Sequence, residues 1–153
     1  MTDSRTMAYI NMYAVLGTLE NLCELDSKAK ELISGMKKPV SIGFTVTDGP
    51  SATITFSSKG CRMEDGLKDC DIKIPFSSCE KFNGMIDGTV TPVPVKGFTK
   101  IGFLLKTFVA LTDRLAELMR PTEEMLKDRE TFILSTQLTF YTICVAMAQI
   151  RSE

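Results

Sequence analysis

Cys70-Asp71-Ile72-Lys73-Ile74-Pro75-Phe76 alternates apolar and polar side chains, and Thr89-Val90-Thr91-Pro92-Val93-Pro94-Val95-Lys96-Gly97 follows after a short helix-like piece. The chain then enters Ile101 to Met119, where Ile101, Leu104, Leu105, Phe108, Leu111, Leu115, Leu118 and Met119 recur at helical spacing. A period of two marks strands with one buried face, and a period of three and four marks a helix with an apolar stripe. Two strands that deliver the chain onto such a helix set one apolar surface against another. The space between them is where a functional site is expected.

Upstream, Val40-Ser41-Ile42-Gly43-Phe44-Thr45-Val46 also alternates, with Val40, Ile42, Phe44 and Val46 on one face. Asp48-Gly49 supplies turn chemistry for a hairpin, and Ala52, Ile54 and Phe56 repeat the alternation on the return. A weaker third strand is expected near Cys61-Arg62-Met63, ending at Asp65-Gly66, so that Cys70 to Phe76 is the fourth and residues 89–97 the fifth. Pro92 and Pro94 cannot donate to a ladder and place that fifth strand at an edge, with Val93 and Val95 pointing inward. Each strand is apolar on one side only, which predicts helices on one face of the sheet and water on the other.

Helices flank this core. Met12, Val15, Leu16, Leu19, Leu22 and Cys23 share a helical face between Thr6 and Cys23, widened by Tyr9 and Tyr13. Asp26 or Ser27 caps a second helix ended by Gly35 and Pro39, and Ser77 or Ser78 caps a short one stopped by Gly88. Arg120-Pro121 breaks the long helix, and Pro121 to Arg151 reads as the last. The expected organisation is one domain over 1–153, with N-terminal helices at 6–36, a core at 40–119 and a C-terminal helix at 121–151.

Composition narrows the function. The net charge of −1 and the lack of a basic run give no electrostatic footprint for nucleic acid. Histidine is absent, which removes the commonest base near neutral pH and the commonest imidazole ligand. Five cysteines without a Cys-x-x-Cys pair argue against a zinc or thioredoxin-like site, and Cys61, Cys70 and Cys79, nine apart, read as small hydrophobes. The acidic turn from Glu64 to Asp71 lacks the ligand spacing of a calcium loop. No nucleophile elbow or phosphate loop is present, so no catalytic residue, metal or cofactor is expected. Without a recognisable signal peptide, reduced thiols in a cytoplasm are the simplest expectation. Thr131 to Ile150 is twenty residues without a charge, long enough to cross a bilayer, but its seven polar side chains favour a buried core helix.

Nine methionines and nine phenylalanines supply more apolar surface than five short strands absorb. An internal cavity, a partner interface or a generous core would each use that surplus.

The order of elements, together with the hairpin Val40 to Phe56, Asp65-Gly66, Cys70 to Ser78, Phe82, Asp87-Gly88 and Val93-Pro94-Val95-Lys96-Gly97 leading into Ile101-Gly102-Phe103-Leu104-Leu105-Lys106, resembles the sterol carrier protein type 2 (SCP-2-like) lipid-transfer domain. The resemblance covers about Val40 to Leu115. It departs at Asp87-Gly88-Thr89, where the family usually has a longer helical connection, and in the longer final helix. It implies an α+β fold, a five-stranded mixed, mostly antiparallel sheet with helices packed on one face around a lipid tunnel. It also implies non-catalytic binding or transfer of a sterol, fatty acid or acyl chain. Carried over by position, the lipid-binding residues are Ile42, Phe44, Ile54, Phe56, Ile74 and Phe76 from the sheet, with Phe82, Met85, Phe103, Leu104, Phe108 and Leu111 from the helices. The expected partner is an apolar small molecule or lipid, with transient membrane contact. The alternative is an interaction module of the same fold without a cavity, forming a homodimer through the C-terminal helix that a charge at Leu138 or Val145 would disrupt.

Overall fold

The hairpin forms where its alternation and its turn agree. Strands β1 (Val40–Val46) and β2 (Ser51–Ser57) pair antiparallel with Ile42 opposite Ile54 and Phe44 opposite Ala52. Asp48, rather than Gly49, takes the left-handed conformation at this turn, with φ 56°. The computed structural model describes residues 3–151. Strand β3 (Gly60–Asp65) continues the meander antiparallel to β2, and β4 (Ile72–Phe76) pairs parallel to β1 on its other side. The sheet is therefore mixed, with strand order β3-β2-β1-β4.

Among the described residues four strands are present, not five. The expected fifth is a single antiparallel bridge between Lys73 and Lys96, with Val95 N donating to Lys73 O at 2.9 Å and Lys73 N donating to Lys96 O at 3.3 Å. Pro92 and Pro94 bring no N–H to this edge, so the ladder cannot extend. Val93 and Val95 accordingly face solvent instead of pointing inward.

The strand order also explains a covered patch on the face expected to meet water. β3 and β4 lie at opposite edges, so residues 66–71 must cross the sheet. Three strand spacings span roughly 14 Å, within the roughly 20 Å reach of six residues. The strap is tied down by Thr53, whose hydroxyl donates to Gly66 O at 3.0 Å and accepts from Lys68 N at 2.8 Å. It passes directly over Gly43. A Cβ there would stand 2.5 Å from Leu67 Cδ1 and 2.7 Å from Cys70 Sγ, so the crossing requires glycine. Beyond β4, Gly97 turns the chain with φ 91°, packed so closely on the Asp71 backbone that no side chain fits.

Helices cover the other face. Helix α1 runs through residues 3–25 as Asp3–Tyr9, a π-helical stretch Ile10–Leu16 and Thr18–Leu25. Asp26 caps α2 (Ser27–Ser34), its carboxylate accepting from Ala29 N at 3.1 Å. Ser78 caps α3 (Cys79–Asp87), which ends at Gly88 in the left-handed conformation expected of a C-cap. Helix α4, residues 98–119, starts as a 3-10 turn, passes through a π-helical stretch Leu104–Phe108 and continues as Val109–Met119. The expected last helix is divided into α5 (Glu123–Leu126) and α6 (Arg129–Arg151). One apolar core joins α1, α2, all of the sheet but β3, α3, α4 and Leu138 of α6.

Candidate functional site

The residues expected to line a site do converge between sheet and helices. Ile42, Phe44, Ile54, Phe56, Ile74, Phe76, Phe82, Leu104, Phe108 and Leu111 are buried, and Met85 and Phe103 pack partly exposed at the margin. Strand pairing sets the sheet side: Ile42 lies across from Ile54, Phe44 beside Ile74 and Val46 beside Phe76. On α4 the buried positions are 104, 108, 111, 115 and 118, a narrow stripe at spacings of three and four. Ile101 and Leu105, read as part of that stripe, are exposed, Leu105 by 64%. They form a second outward row with Phe98 and Val109.

Aromatic rings close the layer in the observed conformation. Phe56 meets Phe103 at 5.4 Å and Phe108 at 6.0 Å between centroids, and Phe44 meets Phe108 at 5.9 Å. At the α3 end Phe76 and Phe82 stack edge-on at 5.2 Å. These separations are those of favourable aromatic pairs. The two faces thus touch each other through the side chains expected to touch a ligand.

Polar contacts fix the rim of this layer. Arg114 on α4 grips Asp26 with two parallel hydrogen bonds, Nε to Oδ2 at 2.9 Å and Nη2 to Oδ1 at 3.1 Å, and Asp26 is 3% exposed. The Asp26 carboxylate raises the Arg114 guanidinium above its ordinary range, and Glu117 at 3.1 Å adds to it. Tyr13, on the π-helical part of α1, donates to Asp65 at 2.5 Å and to Ser51 O at 2.9 Å. Burial, then the Asp65 carboxylate, pushes that phenol well above its usual value. Open clefts flank the layer: one of 360 Å³ beside the start of α4, with Ser41, Asp71, Lys96 and Lys100 in its wall, and one of 240 Å³ between α1, β3 and α6, with Tyr13, Asp65 and Tyr141. Neither contains a residue of the apolar set. Among the described residues no three Cys, Asp or Glu side chains converge to hold a metal ion.

Helix α6 overturns the expectation of a buried core helix. Only Ser135, Leu138 and Thr142 are buried, and two of these three are polar. Ser135 donates to Leu118 O at 2.6 Å, and the Thr142 hydroxyl meets the Thr18 hydroxyl of α1 at 2.7 Å. The outward side carries Phe132, Ile133, Phe140, Ile143, Met147 and Ile150, with Phe140 63%, Met147 59% and Ile150 56% exposed. The helix is long and apolar enough to cross a membrane, with 17% of its most apolar window buried in the protein. Leu138, expected to lie at a dimer surface, is instead wholly buried, whereas Val145 is exposed.

The chain matches no known family model and no curated protein.

Two features escaped sequence reasoning. The π-helical turns in α1 and α4 leave no composition signal, although such turns are common at functional sites. Cys61 meets Cys23 of α1 and not its periodic neighbours: Cys70 packs against Gly43 and Cys79 lies 3.9 Å from Asp48 O.

Proposed function

We propose that this protein is a non-catalytic lipid-binding protein that docks on a bilayer through α6 and takes an apolar chain between the sheet and α4. The observation that carries the reading is the reversed polarity of α6. A surface helix of a water-soluble monomer turns its apolar stripe inward, whereas α6 packs through Ser135 and Thr142 and turns aromatic and aliphatic side chains outward. Hydroxyl groups holding a helix seam, with aliphatic side chains outside, is the arrangement that suits hydrocarbon as the surrounding medium.

The dimensions agree with that medium. Twenty-three residues at about 1.5 Å each make a helix of about 34 Å, with Arg129 and Arg151 exposed at its two ends. α6 is held along α1 and α4, so it lies on the surface of the domain and contacts the bilayer sideways. Lipid entry follows from α4, whose first half carries an exposed apolar row and meets the sheet through Phe103, Leu104 and Phe108. Displacing those rings would open an apolar slot, and burying an acyl chain there stabilises the complex by roughly 25 cal/mol per Å² removed from water.

A second reading rests on the ring contacts that fill the layer: a protein that binds no lipid and covers α6 with a second copy of itself. A fluorescent fatty acid titrated into purified protein separates the two. Saturable binding, weakened by Phe108→Glu, is the expected result. Absence of binding together with a concentration-dependent dimer would establish the second reading.

A further inference from the structure

The start of α4 and the segment before it carry an apolar ridge bordered by lysines. Val93, Val95, Phe98 and Leu105 are each more than half exposed, and Ile101 and Val109 continue the row along the helix. Phe98, Ile101, Leu105 and Val109 are spaced by three, four and four, which keeps them on one side of α4. The backbone fixes the ridge to the sheet: Val95 N donates to Lys73 O at 2.9 Å, and Gly97 packs on the Asp71 backbone. A contiguous exposed apolar patch rimmed by polar residues marks a surface that meets a partner or a membrane.

The charge beside the ridge decides between them. From 88 to 112 the chain has Lys96, Lys100 and Lys106 and no carboxylate side chain. Lys73 adds a fourth cation, because Lys73 and Lys96 are partners in the antiparallel bridge and such partners project from the same face of a sheet. Like charges set opposite each other are destabilising, and an anion between them relieves the repulsion. Among the described residues the carboxylates paired with this set are Asp69, 3.7 Å from Lys96, and Asp71, 3.8 Å from Lys100. Asp71 is also held by Ser41, its Oδ2 accepting from Ser41 N at 3.0 Å. Four lysines against two carboxylates leave a surplus of two positive charges here, in a chain whose net charge is −1. The open 360 Å³ cleft with Lys96, Gly97, Thr99 and Lys100 in its wall lies beside the ridge, with room for a headgroup.

We propose that this ridge is a second bilayer contact that selects anionic phospholipid, with Phe98, Ile101 and Leu105 entering the acyl boundary and the lysines meeting headgroup phosphates. An apolar row rimmed by lysines is the pattern of a helix that lies in the interface of an anionic membrane. The inference rests on the docking reading above and names the lipid class. It sets against the membrane the part of α4 whose inner side, Leu104 and Phe108, covers the apolar layer.

The chain has no tryptophan, so Phe98→Trp places a single indole on the ridge. With vesicles of mixed phosphatidylcholine and phosphatidylglycerol its emission should shift to the blue and be quenched by brominated acyl chains. The unmodified chain should float with the mixed vesicles more strongly than with phosphatidylcholine alone, and salt should remove the difference. A lysine near an anionic surface strengthens attachment roughly fivefold. Lys96→Gln, Lys100→Gln and Lys106→Gln together should therefore weaken attachment to the mixed vesicles by roughly 100-fold and leave flotation with phosphatidylcholine unchanged. Equal flotation of the unmodified chain with both kinds of vesicle would overturn this proposal and leave docking through α6 standing, whereas flotation with neither would overturn both. A concentration-dependent blue shift without vesicles would also overturn it, by showing that a second copy covers the ridge. The comparison of the two vesicles with the unmodified chain decides the matter even where the triple variant folds poorly.

Discussion

Thr18 of α1 and Thr142 of α6 share a buried hydrogen bond, their hydroxyl oxygens 2.7 Å apart. Each hydroxyl oxygen also lies within hydrogen-bond distance of a carbonyl on its own helix, Thr18 of Ala14 O at 2.5 Å and Thr142 of Leu138 O at 2.9 Å, so one hydroxyl donates across the seam and the other along its helix. The seam between the first and last helices is therefore fastened by polar groups, and the apolar groups of α6 are left on the outside. The proposed attachment to lipid follows from this reversal.

It predicts opposite outcomes for neighbouring positions on α6. Leu138→Ala, at a wholly buried site, should lower stability by about 2 to 5 kcal/mol, measurable as an earlier midpoint in urea. Phe140→Ser and Ile143→Glu, on the outward side, should change stability by no more than about 0.5 kcal/mol while abolishing co-flotation with vesicles. A large loss of stability in the outward variants would show that this face is part of the fold's own core.

The Asp26–Arg114 clamp joins α4 to the start of α2 and also supplies the α2 cap. Asp26→Ala strips a mostly buried guanidinium of its two-pronged partner, leaving the contact with Glu117, and removes the cap. The expected cost is about 3 kcal/mol, seen as a fall in Tm of roughly 9 °C for a chain of this size. Asp26→Asn keeps a capping oxygen and should lose less. Equal losses in both variants would remove the cap from the explanation and leave the charge.

At the start of α6, Asp128 accepts from the Thr131 hydroxyl at 2.7 Å and from Thr131 N at 3.1 Å. The hydroxyl first, and then the backbone N–H, hold this carboxylate below its ordinary range. A lowered pKa in the folded state contributes stability that is complete above the unfolded value, about pH 4, and is lost as pH falls through the folded value beneath it. The stability difference between the unmodified chain and Asp128→Ala should therefore be constant from neutral pH to about pH 5, then shrink on further acidification. Urea midpoints across pH 7 to 2.5 measure it, and a difference that stays constant throughout would refute the assignment.

What was legible in the sequence is local. The β1–β2 hairpin, the caps at Asp26 and Ser78 and the stop at Gly88 follow from alternation and turn chemistry within a few residues. Periodicity names an inward face for most of the apolar positions in this layer, which pack in or against one core, whereas the choice of the twelve as a lining rests on the SCP-2-like resemblance. Three features depended on distant register. The prolines at 92 and 94 marked an edge, but that only one bridge survives depends on where Lys96 meets Lys73. The strap over Gly43 follows from the strand order, which no single segment encodes. The outward face of α6 was hidden because apolar residues surround the helix on nearly every side, so the sequence marks no stripe. Only the packing of Ser135 and Thr142 decides which side turns in.

Transfer of a fluorescent acyl lipid between donor and acceptor vesicles tests the central claim most directly, since it requires both docking through α6 and uptake beneath α4. The unmodified chain should accelerate transfer well above the spontaneous rate, with a rate that rises with vesicle concentration, and Ile143→Glu should bring it back to background. Transfer no faster than without protein, from a chain that is folded and stays off vesicles, would contradict the account.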